Sequence, residues 1–287
     1  MTGNWFRVPP LNRRLIGLIA AFILPAVAQT APASGAGIVL LAPDDGGTPR
    51  DAARITAVGP GEFRIRACEE EGSGILTHAV SRMNLICRND GAEARVVTLH
   101  VDLSDDGRRT NANNNAFGGM STRDFLFVQP PGQPWRQIDG EVSAWVCTVR
   151  FSAPPGETKV GLSPWYTYAD YMHFVRSLPA HPHLEKMLLG TSDGGREQWE
   201  LTITDPATPA RDKRTVFWHT REHAYESFSS YAMEGAVAYL LSDEAAEARK
   251  RYRFALHPMT NVDGVARGHE YRAGYDYPQP RATASAK

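Results

Sequence analysis

The sequence predicts an α/β chain in two parts: an N-terminal antiparallel β-sandwich, then a layered α/β domain built on a mixed sheet. Three observations carry this. Hydrophobic residues make up 42% of the 287 positions, enough for a packed core. From residue 59 to 162, short β-like runs are separated by Gly and Pro turn signals. From residue 163 onward, strand-like and helix-like runs alternate.

The elements follow in order. Residues 1–28 read as a secretory leader: Arg7, Arg13 and Arg14 precede an apolar run over 15–24, then Pro25 and the small-x-small site Ala26-Val27-Ala28. The apolar run is short for a bilayer span, so the expectation is a periplasmic or secreted chain with no stable membrane insertion after cleavage. Arg13-Arg14 also fits a twin-arginine signal. Residues 29–58, rich in Ala, Gly, Pro and Asp, read as a linker. In the sandwich, strands are expected over 62–66, 95–103, 124–128 and 144–151. Phe63, Ile65 and Ala67 alternate, as do Trp145, Cys147, Val149 and Phe151. Pro130-Pro131-Gly132 and Pro154-Pro155-Gly156 mark turns, and residues 111–119 a polar loop. In the second part, 169–178 reads as a helix with Met172, Val175 and Leu178 on one side, and 199–204, 214–218 and 252–256 as strands. Residues 227–242 read as a helix with apolar positions at Phe228, Tyr231, Ala232, Gly235, Tyr239 and Leu240. Asn261-Val262-Asp263-Gly264 reads as a turn.

The charge balance excludes one class of partner. With 31 basic and 32 acidic residues the net charge is -1, so no basic excess exists to hold a nucleic-acid backbone. Cys68, Cys87 and Cys147 are three, which in an exported chain allows one disulfide and leaves one thiol; the spacing does not choose the pair.

The chemistry concentrates in Val216-Phe217-Trp218-His219-Thr220-Arg221-Glu222-His223-Ala224-Tyr225-Glu226. An apolar run ends in two histidines and two glutamates, and a helix pattern follows; open α/β sheets place their sites at such strand ends. Imidazole nitrogen and carboxylate oxygen are ligands of a catalytic zinc that keeps one position open. His223 and Glu226, at i and i+3, can reach one point. The order His219, Glu222, His223 also fits an inverted zincin, with both histidines as ligands and Glu222 as base. A solvated polar loop with no metal fits too. His257 reads as structural, His173, His181 and His183 as exposed, and Trp165, Tyr166 and Tyr168 as packing at the domain junction.

The stretch from Arg221 through Glu222-His223-Ala224-Tyr225-Glu226 to Ser229-Ser230 and Met233-Glu234-Gly235 resembles the zinc-site segment of the zinc carboxypeptidases, nearest their cytosolic-carboxypeptidase-like subgroup. That pattern runs Arg-x-His-Pro-Gly-Glu, a Ser-Ser pair, then Met-x-Gly; here Ala224-Tyr225 replaces Pro-Gly. Pro258-Met259-Thr260-Asn261-Val262-Asp263-Gly264-Val265 is similar to the family's Pro-Met-x-Asn-Pro-Asp-Gly-Val, and Tyr166-Thr167-Tyr168 to the subgroup's entry into the peptidase domain. The resemblance implies a β-sandwich before an α/β/α domain with a mixed sheet. It also implies Zn2+ as cofactor, and a peptide or protein C-terminus as substrate. His223 and Glu226 become two metal ligands, Arg221 a substrate contact, and Arg272 an oxyanion-stabilising residue.

The match then departs from the family. The third ligand, a histidine, and the general-base glutamate lie further downstream in the family, and beyond the Asn-Val-Asp-Gly segment this chain has only His269 and Glu270. After Gly274-Tyr275-Asp276 the family's Asn-Arg pair is replaced by Tyr277-Pro278. The expectation is an incomplete carboxypeptidase-like domain over 163–287, truncated at its C-terminus and with impaired activity. The alternative outside enzymology is a non-catalytic exported module that binds peptide or glycan.

Overall fold

The computed structural model describes residues 33–35, 37–48, 54–66, 83–102, 124–144 and 146–268. The leader expected over 1–28, the loop over 111–119, and Cys68 and Arg272 lie outside these. Ten strands build the first part: β1 (Ala33–Gly35), β2 (Ile38–Leu41), β3 (Ile55–Gly59), β4 (Glu62–Arg66), β5 (Asn84–Asn89), β6 (Arg95–Asp102), β7 (Phe125–Gln129), β8 (Arg136–Ser143), β9 (Val146–Ala153) and β10 (Gly156–Gly161). They join in the order β1-β2-β5-β10-β7-β8-β9-β6-β4-β3.

The sheet turns back on itself at β8. Its first half pairs with β7, with Leu126 opposite Ile138, and its second half with β9, with Val142 opposite Cys147. Gly140 sits at the changeover, where a Cβ would lie 2.5 Å from the Thr148 carbonyl oxygen, so the close approach requires glycine. Alternate side chains from both halves then meet in one core, including Leu40, Phe63, Leu85, Leu99, Leu126 and Val149, all fully buried.

Three expectations are revised. The segment expected as linker over 29–58 contributes β2, whose Ile38 and Leu40 are buried; flanking Gly, Ala and Pro hide that two-residue period. One pair is parallel, β4 with β6, and the remaining sandwich ladders are antiparallel. Strand β8 is paired along both edges, yet Arg-Gln-Ile-Asp-Gly-Glu-Val-Ser turns nearly every side chain outward, so it lacks an apolar alternation.

The second part carries the mixed sheet expected of it. Strands β11 (Leu184–Thr191), β12 (Glu197–Ile203), β13 (Arg214–His219) and β14 (Tyr252–His257) lie in the order β11-β12-β14-β13. Strand β12 is antiparallel to both its neighbours, and β13 runs parallel to β14. Helices α1 (Tyr168–Ser177), α2 (Phe228–Leu241), α3 (Ala246–Arg251) and α4 (Val262–Arg267) complete it. Helix α1 opens on a capping box, with the Thr167 hydroxyl accepting from the Asp170 N–H and the Asp170 carboxylate accepting from Thr167 N–H. It buries Tyr171, Met172 and Val175.

Helix α2 buries Ser230, Met233, Val237 and Leu240, whereas Phe228, Tyr231 and Tyr239, expected on the core face, are exposed. The larger aromatics misled the reading; the smaller side chains fit against Leu201, Ile203 and Leu256 of the sheet. The expected turn at 261–264 is the start of α4: the Asn261 side chain accepts from the Gly264 N–H at 2.9 Å, which caps a helix.

The two parts are joined by polar straps. The Asp45 carboxylate accepts from the N–H groups of Tyr168 (3.3 Å) and Ala169 (2.8 Å), at the start of α1. Gly46 N–H donates to the Ala266 carbonyl and the Thr48 hydroxyl to the Gly268 carbonyl. Trp165 packs edge-on to Trp135 at 6.0 Å, with the Lys159 ammonium over its ring, so the junction role expected of it holds.

Candidate metal centre

Strands β13 and β14 end together, with His219 opposite His257. The loops that leave them are laced to each other. Thr220 N–H donates to the His257 carbonyl, Thr260 N–H to the Thr220 carbonyl, and Asn261 N–H to the Arg221 carbonyl, at 3.0–3.1 Å. The Asn261 side-chain amide donates to the Glu222 carbonyl at 3.2 Å, and the Thr220 hydroxyl donates to the Pro258 carbonyl. These bonds fix the backbone at the carboxyl ends of two parallel strands, where α/β folds gather their chemistry.

Within this frame His223 and Glu226 come together. The His223 Nδ1 atom lies 3.0 Å from Glu226 Oε1, and their side chains are 45% and 40% exposed. A tight turn makes the meeting possible: Glu226 N–H donates to the His223 carbonyl and Ser229 Oγ to the Glu226 carbonyl, just before α2 begins. One imidazole nitrogen and one carboxylate oxygen, partly open to solvent and in contact with each other, are of the chemical types that ligate a zinc ion. Among the described residues no three His, Cys, Asp or Glu side chains converge to hold a metal.

The other named residues fall around it. Glu222 is exposed. His219 is exposed on β13, its ring stacked on Phe217 at 5.7 Å. His257 is half-buried, with its Nε2 buried and without a hydrogen-bond partner. Burial pushes its pKa down, nearby Glu200 pulls it up, and His219 pushes it down again, for a net lowering. Arg221, expected at the substrate, is 1% exposed and has φ +60°. Its Nε and one terminal nitrogen donate to the Ala224 carbonyl at 3.2 and 2.5 Å; the other terminal nitrogen donates to the Tyr166 carbonyl and to Ser230 Oγ, both at 3.1 Å. Arg272 lies outside the described residues.

Sequence reading missed two polar groups that brace the site. Asp263, expected to make a plain turn, is 4% exposed. It accepts from Arg196 at 2.7 Å, from the Ser192 hydroxyl at 2.8 Å and from Gly194 N–H at 3.0 Å. Burial raises its pKa, but the bonds from Ser192, Arg196 and Gly194 together outweigh that and hold it below the usual carboxylate value. No local pattern could signal this, because the partners lie about 70 residues upstream in the β11–β12 hairpin. The second is Tyr166, whose hydroxyl donates to Glu234 Oε1 at 2.5 Å; burial first, and then that bond, push the phenol up, so it stays a donor.

The family model described as zinc carboxypeptidase matches residues 171–284, the stretch that holds this loop. Residues 171–284 belong to the zinc carboxypeptidase family. The chain is 33% identical over 112 residues to cytosolic carboxypeptidase 2 of Danio rerio, covering 36% of this chain and 16% of that protein. It is 34% identical over 108 residues to cytosolic carboxypeptidase 6 of Caenorhabditis elegans, covering 36% of this chain and 24% of that protein. A solved metallo-carboxypeptidase from Burkholderia cenocepacia superposes with a TM-score of 0.63 at 16% identity, over 81% of this chain and 58% of that one. That superposition shows a shared fold, sandwich included, since 81% of the chain cannot come from residues 171–284 alone. The chain thus spans under a quarter of these curated relatives and just over half of the solved one.

These relatives correct the expected location. They are named as cytosolic, which contradicts the periplasmic or secreted expectation. The buried Cys87 is a free thiol, its pKa pushed up to about 12 by burial, so it takes no part in the disulfide that export would allow. No helix among the described residues is long and apolar enough to cross a membrane.

Proposed function

We propose that this chain carries part of a zinc-dependent carboxypeptidase site, with His223 and Glu226 as two of the metal's ligands and the C-terminal residue of a peptide or protein as the group released. The observation that supports this most directly is the 3.0 Å approach of His223 Nδ1 and Glu226 Oε1 at the carboxyl end of β13, inside the segment that matches the family. Zinc bound there would polarise a peptide carbonyl and make bound water acidic near neutral pH. The protein's own contribution is to present the imidazole and carboxylate on a braced loop and leave them solvent-open for a substrate. The resemblance further assigns Arg272 to the developing oxyanion. No third ligand joins the pair among the described residues, so we propose that these residues alone bind zinc weakly and hydrolyse peptides slowly or not at all.

The test is a zinc titration of the purified chain, beside His223→Ala and Glu226→Ala, with hydrolysis of C-terminal peptides measured in parallel. Loss of zinc binding in both variants supports the ligand assignment. Zinc uptake unchanged by either substitution overturns it. Peptide release at ordinary hydrolase turnover, on the order of 1–1000 per second, overturns the impaired-activity reading.

A further inference from the structure

We propose that Arg221 is a positioning residue for the metal pair, acting through the Ala224 carbonyl; this rests on the reading of His223 and Glu226 as ligands. The argument begins with its conformation. A non-glycine residue at φ +60° is disfavoured, and persists only where its surroundings over-determine it. Here the backbone is held by Asn261 N–H on the Arg221 carbonyl and by the Thr220–Thr260 bond beside it. The side chain is then driven inward, to 1% exposure, where substrate does not reach it.

Among the described residues the guanidinium donates at three places. Two N–H groups converge on the carbonyl of Ala224, a fully buried residue that stands between His223 and Glu226. The others reach the Tyr166 carbonyl ahead of α1 and the Ser230 hydroxyl in the first turn of α2. A planar fork with fixed donor directions suits this three-way tie, and an ammonium does not reproduce it. The two side chains are 45% and 40% exposed, with little packed around them, so the distance between them is set by the turn that carries them. That turn is pinned at its centre by Arg221. Groups that orient metal ligands from behind typically change affinity by about 10–100-fold when removed.

Arg221→Gly separates the two things the residue supplies. Glycine accepts the positive φ without penalty but has no guanidinium. Zinc affinity would be read by competition with a chromophoric chelator, and the His223 ring by 15N NMR during the titration, alongside thermal melting. Arg221→Gly is expected to weaken zinc by about tenfold or more, Arg221→Lys to stay weak, and added guanidinium ion to restore part of the affinity in the glycine variant. Phe63→Ala, in the sandwich core and away from the loop, is expected to lower the melting point while leaving zinc affinity as in the parent. A folded Arg221→Gly chain with parental zinc affinity overturns the proposal. Should that variant not fold, Ser230→Ala, which removes one acceptor of the guanidinium, serves instead: a severalfold loss of zinc affinity supports the tie, and parental affinity sinks it. If His223→Ala and Glu226→Ala both bind zinc like the parent, the ligand reading itself has failed. If they lose zinc while Arg221→Gly does not, only the positioning role has.

Discussion

Strand β8 exposes almost all its side chains but is hydrogen-bonded along both edges; β13 is exposed at all six residues and is bonded along one. The chemistry of their outward side chains is opposite. In β8 all but Val142 are polar: Arg136, Gln137, Asp139, Glu141 and Ser143. In β13 they include Val216, Phe217 and Trp218, exposed to 37%, 61% and 36%. A strand that lies parallel to its neighbour and is apolar on both faces has the composition of a sheet interior. The sandwich therefore closes its own core, while the outer strand of the second sheet is written for burial that the described residues do not supply. About two-fifths of the solved relative lies outside the part that this chain covers.

The largest expected effect tests where the stability resides. Phe63→Ala empties a fully buried site between the sandwich layers and is expected to lower unfolding free energy by about 3–5 kcal/mol in chemical denaturation. Val216→Thr on β13 is expected to change it by less than roughly 0.5 kcal/mol, as surface substitutions do. Equal losses at the two sites would mean that β13 is packed after all and would remove the contrast.

Next in size is the brace behind the site. Asp263→Asn leaves Arg196 without its carboxylate in a buried setting, and a loss of about 3 kcal/mol is expected. The pH dependence has a definite sign. The folded-state pKa of Asp263 is lowered, so its stabilisation is complete above the unfolded carboxyl value, about 3.9, and is lost as pH falls through the lower folded value. Melting temperatures of parent and variant should run parallel from pH 7 to about 4 and then fall more steeply in the parent. Curves that stay parallel below that pH would show that the carboxylate charge is not what holds α4 to the β11–β12 hairpin.

Smaller again is the joint between the two regions. Asp45→Ala removes the acceptor of two helix-start N–H groups, a change expected to cost about 1 kcal/mol. Differential scanning calorimetry should then resolve the sandwich and the second sheet as separate transitions. A single unbroken transition would assign the coupling to Trp135, Lys159 and Trp165 instead.

What the sequence disclosed follows the same division. Strands whose side chains alternate between core and water were legible: β4, β6 and β9 fall within about two residues of where Phe63/Ile65 and Cys147/Val149/Phe151 put them. Strand β8 was hidden because its burial is of backbone rather than side chain. The face of α2 was misread because Phe228 and Tyr239 are apolar yet turned to solvent, and Ser230 is polar yet buried under Arg221. At the site, the spacing of His223 and Glu226 was enough to bring them together, since the turn joining them is local. Arg221, Asp263 and Tyr166 were legible as residues but not as braces, because their partners come from other elements.

The smallest effect on stability concerns the exposed edge itself. Phe217 is the most exposed residue of the apolar run on β13, and an open, flat, apolar strand is a template for pairing with another chain. Phe217→Glu moves the formal net charge from -1 to -2 by adding one carboxylate at that edge, and charges on edge strands oppose such pairing. Unfolding free energy is expected to stay within roughly 0.5 kcal/mol of the parent, because the ring it replaces touches little. Self-association, followed by light scattering against concentration, is expected to drop. The same substitution at Val96, also an exposed apolar residue but on β6, which is paired along both edges, is expected to leave scattering unchanged. If Val96→Glu suppressed association as well as Phe217→Glu did, the effect would be one of net charge, and the open strand would lose its claim as the point of contact.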